Sequence, residues 1–208
     1  MTLATYSDLI TATADWLSRN DIDAARSSDF VTLFESYAGR LLRDSAMEQT
    51  ETLQAEEGTA TVDLPSDLRE ARSLRHVTSP YEALILETPA ALGEVLPSAP
   101  VGRPARYAMI GRGITLWPAP DVGYDLELTY FGGLCALAAA PVGRTTNWLL
   151  RAAPDAYLNG TIAEACDYLD DDRRSAKYAA KRDAALQTII TNGMRRRWGA
   201  GQPVTRAG

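Results

Sequence analysis

The sequence predicts an α+β fold, mainly helical, in which N- and C-terminal helices form one bundle with an inserted small antiparallel β element and an extended C-terminal tail. Three observations predict it. Apolar residues recur at helical spacing over about residues 5–48 and again over 146–191. Between them, over about 50–131, the period shortens to two and turns bearing glycine and proline appear. Beyond Asn192-Gly193 periodicity stops. The expected organisation is one domain over 1–193 followed by an extended basic tail over 194–208.

The elements follow in order. Tyr6, Leu9, Ile10, Thr13, Trp16 and Leu17 share a helical face, with Thr5 or Ser7 as N-cap. Arg19–Asp23 is a polar connector. Phe30, Leu33, Phe34, Tyr37 and Leu41 share one face of a second helix, capped by Ser28 or Asp29. Thr59–Leu64 then alternates as a strand does, with Thr52–Ala55 as its candidate partner across Glu56-Glu-Gly58. Arg72–Val77 reads as a further strand. Thr88 and Pro89 fit the N-cap and first position of a short helix. Tyr107–Ile110 and Ile114–Trp117 flank Gly111-Arg-Gly113, a hairpin whose glycines supply positive φ. Pro118 and Pro120 close its second strand. Tyr124–Phe131 sets Leu126, Leu128 and Tyr130 against Asp125, Glu127 and Thr129, the pattern of a half-buried antiparallel strand. Thr145 or Thr146 caps Asn147–Leu150, and Pro154-Asp155 restarts a helix with a broad apolar face including Tyr157, Ile162 and Cys166. Asp170-Asp-Asp172 opens an alanine-rich last helix to about Ile190, and Asn192-Gly193 is its stop signal.

Charge is divided unevenly. The net charge of the 208 residues is −6. Residues 1–172 carry 12 basic and 26 acidic side chains, a balance of −14, whereas residues 173–208 carry 9 and one (Asp183), a balance of +8. Blocks of like charge at a terminus often make interaction tails. The acidic body is ill suited to gripping nucleic acid through its phosphates, which takes clustered Lys and Arg. No apolar run approaches the length of a membrane span, so no membrane partner is expected. The first residues lack a basic and an apolar segment, so no signal peptide is expected either. Two cysteines, Cys135 and Cys166, make no disulfide framework, which points to a reducing place of folding.

Candidate chemistry is sparse. Asp170–Asp172 is first a helix start, where acids meet the dipole favourably, and it lacks the spacing of a calcium loop. Gly111-Arg-Gly113 lacks the Lys-Ser/Thr of a phosphate loop. Neither cysteine has a His at an informative spacing, and His76 stands alone. No catalytic set, metal site or cofactor site is expected. The aromatics Trp16, Phe30, Phe34, Tyr37 and Trp148 lie at helical spacing and are expected in the core. Trp198 differs. It lies beyond the expected stop, beside Arg195, Arg196 and Arg197, and an aromatic next to three arginines has the profile of an interface anchor.

The ordered set of segments resembles the head-to-tail adaptor (connector, head completion) proteins of tailed bacteriophages and gene transfer agents. The residues that carry it are Tyr6–Ile10, Trp16–Asp21, Phe30–Arg43, Met47-Glu48, Val62–Leu68, Pro104–Pro120, Leu126–Phe131, Asn147–Leu150, Pro154–Gly160, Glu164–Asp171 and Tyr178. They span about residues 5–190. The chain departs from the pattern at Leu134–Gly143, where an Ala/Pro/Gly stretch replaces the usual connector.

The resemblance implies a non-enzymatic structural protein of the virion neck, assembled in the host cytoplasm. Its relatives form rings, usually dodecameric, that dock beneath the portal protein, extend the DNA channel and offer a platform to the next neck or tail protein. Genome DNA would pass without sequence-specific binding, and an acidic wall would let it slide. Arg195, Arg196, Arg197 and Trp198 are the candidate portal-binding residues, chosen for their chemistry. The alternative is a DNA-binding packaging or regulatory protein that uses the basic C-terminal segment as an arm.

Overall fold

Thr5 and Asp8 close a capping box. The Asp8 amide donates to the Thr5 hydroxyl at 3.2 Å, and the Thr5 amide donates to the Asp8 carboxylate at 3.0 Å. This starts α1 (Tyr6–Leu17). The computed structural model describes residues 3–18, 23–95, 101–137 and 145–198. Its contacts divide the chain into two compact units, Met1–Ala46 with Leu134–Gly208 and Met47–Gly133. The architecture is α+β, as the sequence predicts.

The helical unit holds α1, α2 (Ala24–Leu41), α4 (Trp148–Ala152), α5 (Pro154–Tyr168) and α6 (Asp172–Trp198). α5 is its hub. Ala156, Tyr157, Leu158, Gly160, Thr161, Ile162, Ala163, Ala165 and Cys166 are buried, so it is enclosed nearly all round. α2 packs on it through Phe30, Val31, Phe34 and Ala38. The closest approach is at Gly160, where a Cβ would fall 2.1 Å from Phe34 Cδ2. Phe34 also meets Tyr157 edge-on at 4.8 Å.

Several local expectations change here. The buried stripe of α2 is rotated, and Leu33 and Leu41 are exposed. The stripe runs through small and polar residues, Ala38, Gly39 and Glu35, which hid it from an apolar count. α2 begins earlier than Ser28 or Asp29 imply, because Asp23 is the N-cap and accepts from the Arg26 amide at 2.7 Å. It also ends at Leu41 rather than running on toward residue 48, and a turn of 3-10 helix (Ser45–Met47) follows. α4 is capped by Asn147, which accepts from the Leu150 amide at 2.8 Å, and not by Thr145 or Thr146. Trp16 is 45 % exposed and so is not core.

Among the described residues, the second unit, Met47–Gly133, holds seven strands and α3 (Pro89–Val95). One sheet has the order β1-β7-β3, built from β1 (Glu48–Ala55), β7 (Tyr124–Gly132) and β3 (Leu68–His76). The other has the order β2-β6-β5-β4, from β2 (Thr61–Asp63), β6 (Gly113–Trp117), β5 (Arg106–Ile110) and β4 (Ile85–Leu86). All pairs are antiparallel except β4 with β5. A common core joins them: Leu53, Leu74, Leu126, Leu128 and Tyr130 from the first sheet, Val62, Tyr107, Ile114 and Leu116 from the second. The expected pairing of 52–55 with 59–64 does not form. β1 pairs along its whole length with β7, and β2 with β6. β1 carries mostly exposed polar residues, so nothing local marks its partner. The hairpin at Gly111 is as expected, but only Gly111 has positive φ (62°), as a type II′ turn needs at its first central residue.

Candidate functional site

The contact residues expected from the sequence lie at the end of α6. That helix is 27 residues long, about 40 Å at 1.5 Å per residue. It continues through Asn192-Gly193, the expected stop, to Trp198. The glycine serves a close approach instead. A Cβ at Gly193 would fall 2.7 Å from the Asp44 carboxylate. Residues 194–198 are therefore the last turn of a helix and not extended tail, and residues 199–208 lie outside the described residues. Arg195 is exposed; the side chains of Arg196, Arg197 and Trp198 lie outside the described residues. A cation in the last turn of a helix meets the negative end of the dipole, which favours Arg195 there.

Two clusters pin this basic helix to the unit. Tyr178 meets Trp16 of α1 edge-on at 6.3 Å, and Lys177 and Lys181 place their ammonium groups 5.6 and 5.5 Å from the Tyr178 ring centroid. One turn on, Arg182 lies over the Tyr37 ring at 3.9 Å. Its Nη1 donates to Glu164 at 3.3 Å and its Nε to Asp183 at 2.8 Å, while the Tyr37 hydroxyl donates to Asp183 at 2.9 Å. Burial pushes the Glu164 carboxyl up, against the pull of the Arg182 charge. Burial acts on Asp183 too, but the donors Arg182 and Tyr37 outweigh it and hold its carboxyl below the usual range. The arrangement satisfies a nearly buried cation, which would otherwise carry a large desolvation cost.

At the far end, α2 and α6 leave a groove of about 230 Å³. Leu41, Leu42, Ile189, Ile190 and Met194 give it an apolar lining; Arg43, Asp44 and Gly193 complete it. Leu41 and Met194 are 47 % and 59 % exposed.

A buried polar network lies deeper in the same unit. Glu35 Oε1 accepts from the Leu137 amide and from the Tyr157 hydroxyl, both at 2.8 Å. Asn147 Nδ2 donates to the Tyr157 oxygen at 2.5 Å and to the Cys135 carbonyl at 2.8 Å. Burial pushes the Glu35 carboxyl up, against these donors, and burial together with the Glu35 charge pushes the Tyr157 phenol up. The network fastens residues 135 and 137, where the chain re-enters the helical unit, to α2, α4 and α5. Its role is positional. The signal in the sequence was a Glu inside an otherwise apolar helical run.

The remaining sequence candidates are placed as follows. Asp171 caps α6, accepting from the Arg174 amide at 3.1 Å. Cys166 is buried and Cys135 half-buried. His76 ends β3, buried, with Nε2 donating to the Pro104 carbonyl at 2.7 Å. Among the described residues, no group of three or more His, Cys, Asp or Glu side chains is placed to hold a metal ion. None of the described helices is long and apolar enough to cross a membrane. What the unit offers chemically is a contact surface: an anchored basic helix that ends beside an apolar groove.

No curated protein matches the chain. A family model described as SU10 adaptor protein matches residues 4–207.

Proposed function

The chain belongs to the SU10 adaptor protein family, and on that premise we propose that it is a structural, non-enzymatic protein of the phage virion neck. In this reading it forms a ring beneath the portal protein, usually dodecameric among the adaptors it resembles. The ring extends the DNA channel and carries the next neck or tail protein, and it assembles in the host cytoplasm. The observation that carries the reading is a family match that takes in both units and α6 nearly to the end of the chain. Charge supports it. Residues 47–133 carry 13 acidic and 6 basic side chains, and such a surface lets duplex DNA pass without sticking. The end of α6, with Arg195, Arg196, Arg197 and Trp198, is the portal-facing element, where cations meet an acidic partner surface.

The test is assembly onto portal-containing heads. Deleting residues 194–208 is expected to leave a folded protein that no longer joins heads. Because that deletion also removes the last helical turn, a second variant keeps the length: Arg195→Glu, Arg196→Glu, Arg197→Glu and Trp198→Ala together. Normal joining by both variants, seen by electron microscopy, would overturn the assignment of this end to the portal.

A further inference from the structure

β1 and β2 are end strands of their sheets, and they do not pair with each other. A cleft of about 350 Å³ lies between them, with Thr52, Gln54, Glu56, Thr61 and Asp63 on its walls. The direction of the main-chain groups along it follows from the ladders. The Leu116 amide donates to the Ala60 carbonyl and the Leu64 amide to the Arg112 carbonyl. Thr61 and Asp63, the alternate residues, therefore turn their amides and carbonyls away from β6. On the other wall, the Val77 amide donates to the Asp125 carbonyl at 3.0 Å, so residues 125 and 127 of β7 serve β3. Residues 124, 126 and 128 then serve β1 through Ala55, Leu53 and Glu51. Thr50, Thr52 and Gln54 turn their amides and carbonyls outward, and no hydrogen-bond partner meets them among the described residues.

An open edge of this kind is usually blunted by a Lys, a Pro, a bulge or a covering element. β1 has no Lys or Pro, its register with β7 is unbroken over eight residues, and Glu48–Thr52 are exposed on both faces. What surrounds the edge is acid. Residues 48–63 hold Glu48, Glu51, Glu56, Glu57 and Asp63 and no Lys or Arg. Glu51 accepts from the Tyr130 hydroxyl at 3.3 Å, and the other four are exposed. Like charges placed across a strand pair are destabilising and opposite charges favourable. The edge therefore repels a second β1 and favours a basic strand.

We infer that the β1 edge receives an extended, Lys- or Arg-bearing segment of the next neck or tail protein as an added strand. Main-chain bonds to Thr50, Thr52 and Gln54 supply the hold, and the basic side chains meet Glu48, Glu56 and Asp63. The inference rests on the reading of the protein as an adaptor and names the surface by which it carries its downstream neighbour.

The test is attachment of that neighbour to heads that already hold this protein. Thr52→Pro removes one outward amide and leaves the bonds from β1 to β7 in place. Thr52→Val keeps the amide and is the control. A second variant, Glu48→Lys, Glu56→Lys and Asp63→Lys together, reverses the charge at exposed positions without altering the main chain. Circular dichroism checks that each is folded. Thr52→Pro and the charge variant are expected to stay on the heads and to lose the following component, as seen by electron microscopy, while Thr52→Val retains it. Attachment by a folded Thr52→Pro protein overturns the strand pairing, and attachment by the charge variant overturns the basic character of the partner. Folded variants missing from the heads would assign the edge to a different contact and overturn the inference as well. Wild-type protein absent from purified particles would instead remove the adaptor reading itself.

Discussion

The Tyr157 hydroxyl donates to Glu35 Oε1 at 2.8 Å inside the helical unit, and that oxygen also takes the Leu137 amide. A carboxylate on α2 thus fastens both the hub helix and the returning chain.

The burial of that carboxylate makes stability depend on pH in a defined direction. Burial raises the folded-state pKa of Glu35 above its unfolded value of about 4.3. A raised value means that the favourable contribution is full below about pH 4.3 and is lost as pH rises through the folded value. Glu35→Gln keeps the accepting oxygen and removes the charge. Its stability relative to wild type is therefore expected to improve as pH rises from about 4.3 through the folded-state value and to level off above it, as followed by urea unfolding. Glu35→Ala instead leaves the Leu137 amide and the Tyr157 hydroxyl without their acceptor, and is expected to cost about 1–3 kcal/mol at every pH. An unchanged difference between Glu35→Gln and wild type across that range would refute the assignment.

The contact of Gly160 with Phe34 leaves no room for a methyl group. Gly160→Ala is expected to destabilise the protein by about 1–3 kcal/mol, the usual cost of overpacking. Adding Phe34→Leu should recover part of the loss. A denaturant double-mutant cycle checks this, and strictly additive costs would show that the two positions do not compete for space.

Arg182 ties α6 to Glu164 of α5 and Tyr37 of α2 and pairs with its neighbour Asp183. Arg182→Met keeps most of the stem but leaves two carboxylates without their cation. The expected loss is about 2 kcal/mol. The readout is thermal unfolding together with the backbone amide exchange of residues 178–190, which should quicken. Unaltered exchange there would mean that the helix is held elsewhere.

Gly111 has φ of 62°, where a side chain is strained. Gly111→Val is expected to destabilise by about 1–2 kcal/mol, because a residue with a Cβ is disfavoured in that region. Gly113, whose φ is not positive, sits close to the Val62 carbonyl, so Gly113→Ala tests space rather than conformation. Equal unfolding midpoints for Gly111→Val and wild type would exclude the turn as the reason for this glycine.

Much of the fold was legible because its signals were local. The Gly111 hairpin, the alternation of Tyr124–Phe131, the Pro154 helix start and the Thr5 cap each lie within a few residues and appear where expected. The caps of α2 and α4 were misplaced within a local signal, whereas the misplaced strand partner, helix face and helix stop depend on residues distant in sequence. β1 is identified by its pairing with β7, some seventy residues on, as in Gln54↔Asp125. The face of α2 is set by Gly160, which lets Phe34 in and turns Leu33 outward. Gly193 reads as a helix stop until Asp44 is seen beside it. The same limit applies to the site. Arg195 through Trp198 stood out by composition, whereas the groove beside them needs α2 and α6 together, and the Glu35 network joins residues more than a hundred positions apart.

Because Glu48 pairs with Phe131, the strand unit opens and closes on adjacent strands, with paired Cα atoms about 5 Å apart. The segment therefore behaves as a graft with both cut ends side by side. A short glycine-containing bridge across that gap could stand in for all of it, and a foreign domain whose termini lie equally close could be spliced in its stead. Lineages that must fit new neighbours could then exchange this portion wholesale while the helices keep their own packing.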